Sequence, residues 1–560
     1  MKKINLIIKL GTCLIFLFST LSCSDFLDEE VYSFSSAENL FSTAANTELA
    51  LTGVYDAINA GSIQGSSNHH MWGRGMHYLL MLGDEIAPKL TGAMNDPHHR
   101  TIATVSYNPE AEFVTYAWFG HYVGIDRANW VIENTPNVPD MDETRKIQVI
   151  GEARCLRGFY YLYLTWLFGD VPTPTKPNSD PYATRSPLKD VYKIIEEDLT
   201  YAYEVLPDRN PKAGRVNKWT AAGFLVKMYT YLAACKENNV GKELNSTLNN
   251  FDWVNSSECY RNANLIANEI YENSGYKMIV PYQYNFLEAT KDQQKEECLM
   301  LAMTGVGGNS DYYLFSYLTG PQGGANTNGG NYGWLRSSGE LYSKYFSTDP
   351  RLRWNITGSM SSTDFETING VKYFKTVPLY STGSNVCLGK FRQADPLTRT
   401  SQGIPNWAGI IDFPILRFSD IVLLYAETKF KSENDEAAAR NLLQEVRRRA
   451  CTGINGEIDE IALQKMDSAY YKSDFMEELM DERSRELCGE SWRRIDLIRM
   501  GKMTETIANL KTTIENQYYF YNTELSTIKS NYQPYKIWFP IPKREIEANQ
   551  NLTQNPGYLN

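Results

Sequence analysis

The residues most suggestive of chemistry are six histidines crowded between positions 69 and 121: His69, His70, His77, His98, His99 and His121. Imidazole is a common zinc ligand, but zinc sites carry recognisable spacings such as H-E-x-x-H or paired Cys and His, and none accompanies this cluster. Adjacent histidines in loops serve equally as hydrogen-bonding groups beside a ligand pocket, so no metal is expected. A second concentration lies in "DERSRELCGESWRRIDLIRMGK", where Glu482, Glu486 and Glu490 recur every four residues with Arg483, Arg485, Arg493 and Arg494 interleaved. On a helix that spacing sets opposite charges within i, i+3 and i, i+4 reach. Neighbouring guanidinium groups hold carboxylates ionised, whereas a general acid needs a raised pKa. The stretch is expected to be a structural ion network. "LAMTGVGGNS" places Gly305, Gly307 and Ser310 after a strand-like run, yet a full G-x-G-x-x-G with its helix is missing, as are a P-loop and G-x-S-x-G. A glycoside hydrolase would need two carboxylates about 5–10 Å apart across a cleft. Asp84 and Glu85 are sequence neighbours and cannot straddle a substrate by themselves. No catalytic residue and no cofactor is assigned.

Binding chemistry has a better claim. With 37 Tyr, 23 Phe and 11 Trp, the chain is 13% aromatic. Much of this must be core, but Tyr and Trp also form the surfaces on which flat, weakly polar sugar rings stack. Trp72 stands among Gly and polar residues in "NHHMWGRGMHYLLMLGDEIAP", a setting that predicts an exposed platform. Trp334 and Tyr332 adjoin the Gly and Asn run of "SDYYLFSYLTGPQGGANTNGGNYGWLR", which also contains Tyr312. Arg74, Asp84, Asn328 and Asn331 are the nearest groups able to bond sugar hydroxyls. The competing reading of each ring is a hydrophobic plug beneath a loop. A net charge of −11 argues against nucleic acid, which requires a basic field.

The elements that must position these residues are mostly helices. Apolar residues at Val149, Ala153, Leu156, Tyr160, Tyr163, Leu164 and Leu167 follow helical spacing, with Gly169 and Pro172 closing the run. "SPLKDVYKIIEEDLTYAYEVLP" follows, with Ser186 as candidate cap and Pro187 in the first turn. Comparable patterns in "TAANTELALTGVYDAINA", "AEFVTYAWFGHYVGIDRANWVIENT", "NKWTAAGFLVKMYTYLAACKE", "CYRNANLIANEIYEN", "FPILRFSDIVLLYAETKFK" and "NDEAAARNLLQEVRRRA" bring the total to eight helices. They fall into four successive pairs of tetratricopeptide-like length. Residues 61–110 and 273–413 interrupt the pattern with long loops and short strand-like runs, "ECLMLAMTG" and "KYFKTVPLY" among them. Function tends to sit on such excursions from a rigid scaffold.

The N-terminus fixes location. Lys2, Lys3 and Lys9 precede an uncharged, mostly apolar run from Leu10 to Ser22. The run is shorter than the roughly 20 residues a spanning helix needs and reads as a signal peptide, residues 1–22. Leu21 and Ser22 before Cys23 resemble a bacterial lipobox, although Thr20 replaces the usual Leu, so Cys23 is the expected lipidation site. Residues 23–42 then read as an anchored, acidic and Ser-rich tether, and 43–560 as one domain. Seven cysteines remain (Cys155, Cys235, Cys259, Cys298, Cys387, Cys451 and Cys488), widely spaced and without C-x-x-C. They read as buried free thiols acting as small hydrophobes, rather than a disulfide framework or a zinc site.

"PILRFSDIVLLYAETKFK", "ERSRELCGESWRRIDLIRMGK" and "IWFPIPKREIEANQNLTQNPGY", in that order within residues 414–560, resemble the SusD/RagB family. "FLDEE" after the cysteine and "ANTELALTGVYDAI" resemble its N-terminus. The resemblance implies a mainly α fold of four tetratricopeptide-like helix pairs with an irregular, loop-rich ligand-binding part and a few short strands. It implies a surface-exposed, lipid-anchored outer-membrane protein of a Bacteroidetes-type bacterium. Such a protein is a binder rather than an enzyme and partners a SusC-like TonB-dependent barrel transporter. Its ligand is usually an oligosaccharide and in some members a peptide. The family's binding face comes from the segment after the first helix and the excursion before the fourth pair. Here these hold the aromatic and polar residues named above, none of them fixed by a family motif.

Overall fold

The computed structural model describes residues 40–59, 71–88, 97–303, 315, 319–321, 323, 333–376, 386–404, 409–514, 517–518 and 522–559. Cys23 and the rest of the leader and tether to residue 39 lie outside the described residues.

All eight expected helices form: α1 (Ala44–Asn59), α2 (Glu112–Asn134), α3 (Glu143–Phe168), α4 (Leu188–Val205), α5 (Lys218–Glu237), α6 (Ser256–Asn273), α7 (Phe418–Glu433) and α8 (Glu436–Ala450). Each packs on the next, from α1 against α2 through to α7 against α8. Local signals set the ends. Asp142 caps α3 by accepting from the Arg145 amide, and Gly169 at φ +78° ends it, a conformation that costs a side-chain-bearing residue. Asn217 and Thr220 form a capping box at the start of α5. The predicted apolar stripe of α3 is buried, and burial then extends around the helix from Cys155 to Phe168 because neighbours cover every face.

Three boundaries differ from the sequence reading. Ser186 does not cap α4; its hydroxyl bonds Thr173 Oγ at 2.8 Å and Pro187 holds the N-cap position. "FPILR" is not helical but forms a strand leading into α7. The charged stretch is not one helix: α9 (Glu460–Tyr470) and α10 (Phe475–Leu487) are followed by a turn, with Gly489 and Ser491 at φ +72° and +70°, before α11 (Arg493–Arg499).

The strands are short and pair antiparallel. β1 (Ile86–Pro88) pairs with β3 (Leu335–Ser337), and β2 (Cys298–Ala302) with β8 (Phe413–Arg417). β4 (Ile356–Thr357) pairs with β7 (Cys387–Leu388), and β5 (Met360–Ile368) with β6 (Val371–Thr376). All seven cysteines are free; Cys259 is partly exposed and the others are buried.

The ion network forms, with a wider reach than helical spacing implied. Glu482 takes Arg485 at 2.8 Å within α10, but also Arg351 at 2.8 Å and Arg447 of α8 at 2.9 Å. Glu486 meets Arg351 at 3.0 Å, Arg417 of β8 at 3.1 Å and Arg449 of α8. Burial alone would raise the Glu486 pKa, but Arg449, Arg417 and Arg351 outweigh it and hold it at about 2. Lys390 Nζ donates to the Glu486 and Cys488 carbonyls at 2.8 and 3.0 Å, fixing the turn. The network rivets the second excursion to the helical array.

Candidate functional site

A strand pair joins the two excursions from the helical array. β1 lies in the first and β3 in the second, and their register sets Ile86 opposite Ser337 and Pro88 opposite Leu335. The Ser338 amide donates to the Glu85 carbonyl at 2.8 Å, and the Ser338 hydroxyl donates to the Asp84 carbonyl. That hydroxyl also accepts from the Leu341 amide at 3.0 Å, capping the short helix Gly339–Ser343. The pairing therefore holds Pro88 of the first excursion beside Leu335 of the second. Beneath it Tyr78, Met81, Ile86, His99, Leu335 and Leu510 line an apolar cavity of about 40 Å³, too small for a sugar ring.

Among the predicted site residues, Trp334 sits beside this junction, half-buried, its ring edge-on to His99 with centroids 5.7 Å apart. Tyr312, Asn328, Asn331 and Tyr332 lie outside the described residues. Arg74 belongs to a π-helical turn, Met71–Gly75, and its side chain is likewise outside them.

Trp72 is a correction. The ring is 1% exposed and packs on Tyr163 of α3 at 5.2 Å and Phe413 of β8 at 5.7 Å. Polar sequence neighbours suggested a surface, but elements distant in sequence close over the ring. Asp84 is a second correction. Its carboxylate is buried between Arg493 (2.6 and 2.8 Å) and Lys344 (2.7 Å), leaving little for a sugar hydroxyl. Burial opposes ionisation there, but the two cations prevail and hold Asp84 well below the usual carboxylate range. Glu85 shows the reverse: burial pushes it up to about 7 despite Arg493, with Ser484 Oγ donating to it at 2.9 Å.

Among the described residues the histidines do not converge on one site. His77 lies between Phe315 and Phe413, ring centroids at 3.8 and 4.2 Å. Burial lowers its pKa to about 3, so the ring is neutral. The Trp72 carbonyl can only accept, so Nε2 carries the proton and Nδ1 accepts from Ser491 Oγ at 3.1 Å. His121 is a core residue bonded to the Ala117 carbonyl, His98 pairs with Glu112, and His69 and His70 lie outside the described residues.

Sequence reasoning missed one feature. A cleft of about 540 Å³ runs between the α4–α5 connection (Arg209–Asn217) and β2, with Met303 of the second excursion in its wall. Its signal was the charged, Gly- and Pro-containing "LPDRNPKAGR", passed over as a connection.

Comparison with known proteins agrees with this architecture. A family profile described as "SusD family" matches residues 326–558, and one described as "Starch-binding associating with outer membrane" matches residues 25–230. SusD-like protein P25 of Formosa agariphila is 23% identical over 583 aligned positions, covering 97% of this chain and 98% of that protein. The crystal structure of a SusD homolog from Bacteroides thetaiotaomicron superposes with a TM-score of 0.69 at 22% identity, covering 93% of this chain and 98% of that one. A laminarin-binding SusD-like protein superposes at 0.64 and 21% identity, covering 92% and 100%. The chain belongs to the SusD/RagB family.

Proposed function

We propose that this protein is a lipid-anchored receptor on the outer membrane that binds oligosaccharides and passes them to a SusC-like TonB-dependent barrel transporter. The observation that carries the reading is the β1–β3 junction, which joins the two excursions next to the half-buried Trp334 on a rigid helical frame. Starch binding in the matched family's description and laminarin binding in a structural relative support a glycan as ligand. In this reading residues 1–22 are removed, Cys23 carries the acyl chains and the tether spaces domain 43–560 from the membrane. Sugar is held by stacking on aromatic rings, with Trp334 and Tyr332 the leading candidates and Tyr312, Asn328, Asn331 and Arg74 the polar and aromatic groups proposed to join them.

Calorimetric titration against a panel of neutral and charged oligosaccharides tests this. Micromolar binding to at least one glycan is expected, weakened about tenfold by Trp334→Ala. Binding of peptides but of no glycan would identify a peptide receptor instead, and turnover of any glycan would show an enzyme. Mass spectrometry of the native protein should find Cys23 acylated at the new N-terminus.

A further inference from the structure

The cleft beside the α4–α5 connection carries a preorganised cation. Arg209 lies flat on Tyr276, its guanidinium carbon 3.6 Å from the ring centroid. Tyr276 is itself held, because its hydroxyl accepts from Asn217 Nδ2 at 2.9 Å while Asn217 Oδ1 caps α5. The fork is thus oriented by a chain running back into a scaffold helix. One donor, Nη2, reaches the Ser274 carbonyl at 3.2 Å.

Charge balance separates Arg209 and Lys295 from the other cations in the cleft wall. Lys212 pairs with Glu48 at 2.7 Å, Arg215 with Glu152 at 3.1 Å, Lys277 with Glu296 at 3.1 Å and Lys291 with Asp412 at 3.8 Å. Among the described residues neither Arg209 nor Lys295 has a carboxylate partner, and Asp292 is the one lining carboxylate without a cation. The chain has a net charge of −11 and buried arginines such as Arg351 and Arg417 are knitted to carboxylates, whereas Arg209 and Lys295 line the same cleft without one. A planar fork held by stacking suits bidentate recognition of a carboxylate or sulfate. The volume, about 540 Å³, is that of a small-ligand site. The cleft wall also includes β2 and Met303, within the excursion assigned to sugar binding.

We propose that this cleft is a subsite for an acidic sugar residue, a uronate or a sulfate ester, with Arg209 as its fork and Lys295 as a second cation. The proposal rests on the glycan-binding reading and extends it from sugars in general to charged ones. The test titrates the full chain, its Lys295→Glu variant and its Arg209→Gln variant with three probes: oligogalacturonate, sulfated carrageenan oligosaccharide and neutral laminarin oligosaccharide. Lys295 is exposed and unpaired, so its variant keeps the fold; circular dichroism checks both.

The expected result is binding of at least one anionic probe. Each variant should lose about tenfold or more for that probe, with less than about a twofold change for any neutral glycan bound. Which anionic probe responds identifies uronate or sulfate. Binding of laminarin alone would overturn the anionic subsite and leave the glycan reading intact. Binding of no glycan would overturn both. Anionic binding that neither variant alters, or equal losses for neutral and anionic probes, would remove the cleft from recognition.

Discussion

Glu486 shows how single residues hold this molecule. It is fully buried, which is affordable only because Arg351, Arg417 and Arg449 surround it. Removing one partner strands the remaining charges, so Arg417→Ala should destabilise by about 3–5 kcal/mol in urea titrations. The pH dependence has a defined sign. The folded pKa of about 2 lies below the ordinary 4.5, so the contribution of Glu486 is complete above about pH 4.5 and is lost as pH falls towards 2. Glu85 acts in the opposite sense. Its folded pKa of about 7 lies above 4.5, so its contribution is complete below about pH 4.5 and is lost as pH rises through 7. Glu85→Gln should then match the parent chain at pH 5 and exceed it in urea midpoint at pH 8. An equal difference between variant and parent at the two pH values would show that Glu85 is already ionised at pH 5. The ionised, networked state of Glu486 was legible in the alternating charges, although its partners Arg351, Arg417 and Arg449 lie in other elements; the raised Glu85 was not, because the elements that bury it are distant in sequence. Distance along the chain also explains Trp72: Gly and polar residues nearby suggested a surface, but Tyr163 and Phe413 bury it.

At the scale of elements, helices were legible because their signals are local. The periodic stripe of α3 and the Gly that ends it stand within one stretch of chain. The division of the charged stretch into α10 and α11 was not legible, since alternating charge continues unbroken across a turn pinned by Lys390 from another segment. Strand pairing is nonlocal in the same way, and the β1–β3 junction joins excursions whose partnership no spacing announces. Ser338 is its hinge pin, bonding Asp84 on one side and capping Leu341 on the other. Ser338→Ala should cost about 1 kcal/mol of stability, the usual value of a lost cap. If the junction positions the ligand loops, the variant should also weaken glycan binding at a temperature where it remains fully folded. Unchanged affinity would mean that the loops hold their geometry without this junction.

For the whole molecule, the arrangement of helix pairs raises the question of cooperativity. An array in which each helix packs on the next can unfold piecewise from its ends. Here the C-terminal segment ties distant parts together. The Phe539 amide donates to the Leu167 carbonyl at 2.7 Å, at the end of α3. Asn555 Nδ2 donates to the Phe168 and Phe539 carbonyls at 2.9 and 2.7 Å, and Arg185 reaches the Thr553 carbonyl at 2.9 Å. The end of the chain thus clamps the centre of the array, while α10 and its ion network bind the fourth pair to the second excursion. The intact chain should unfold in one transition, with helix loss by circular dichroism and core exposure by Trp fluorescence coinciding in urea. Deleting residues 549–560 removes Thr553 and Asn555 and leaves the carbonyls of Phe168 and Phe539 without that donor. The two probes should then separate, with fluorescence changing first, because Trp166 and Trp538 lie beside the released clamp. Coincident transitions in the truncated chain would place the cooperativity in helix packing and the ion network alone.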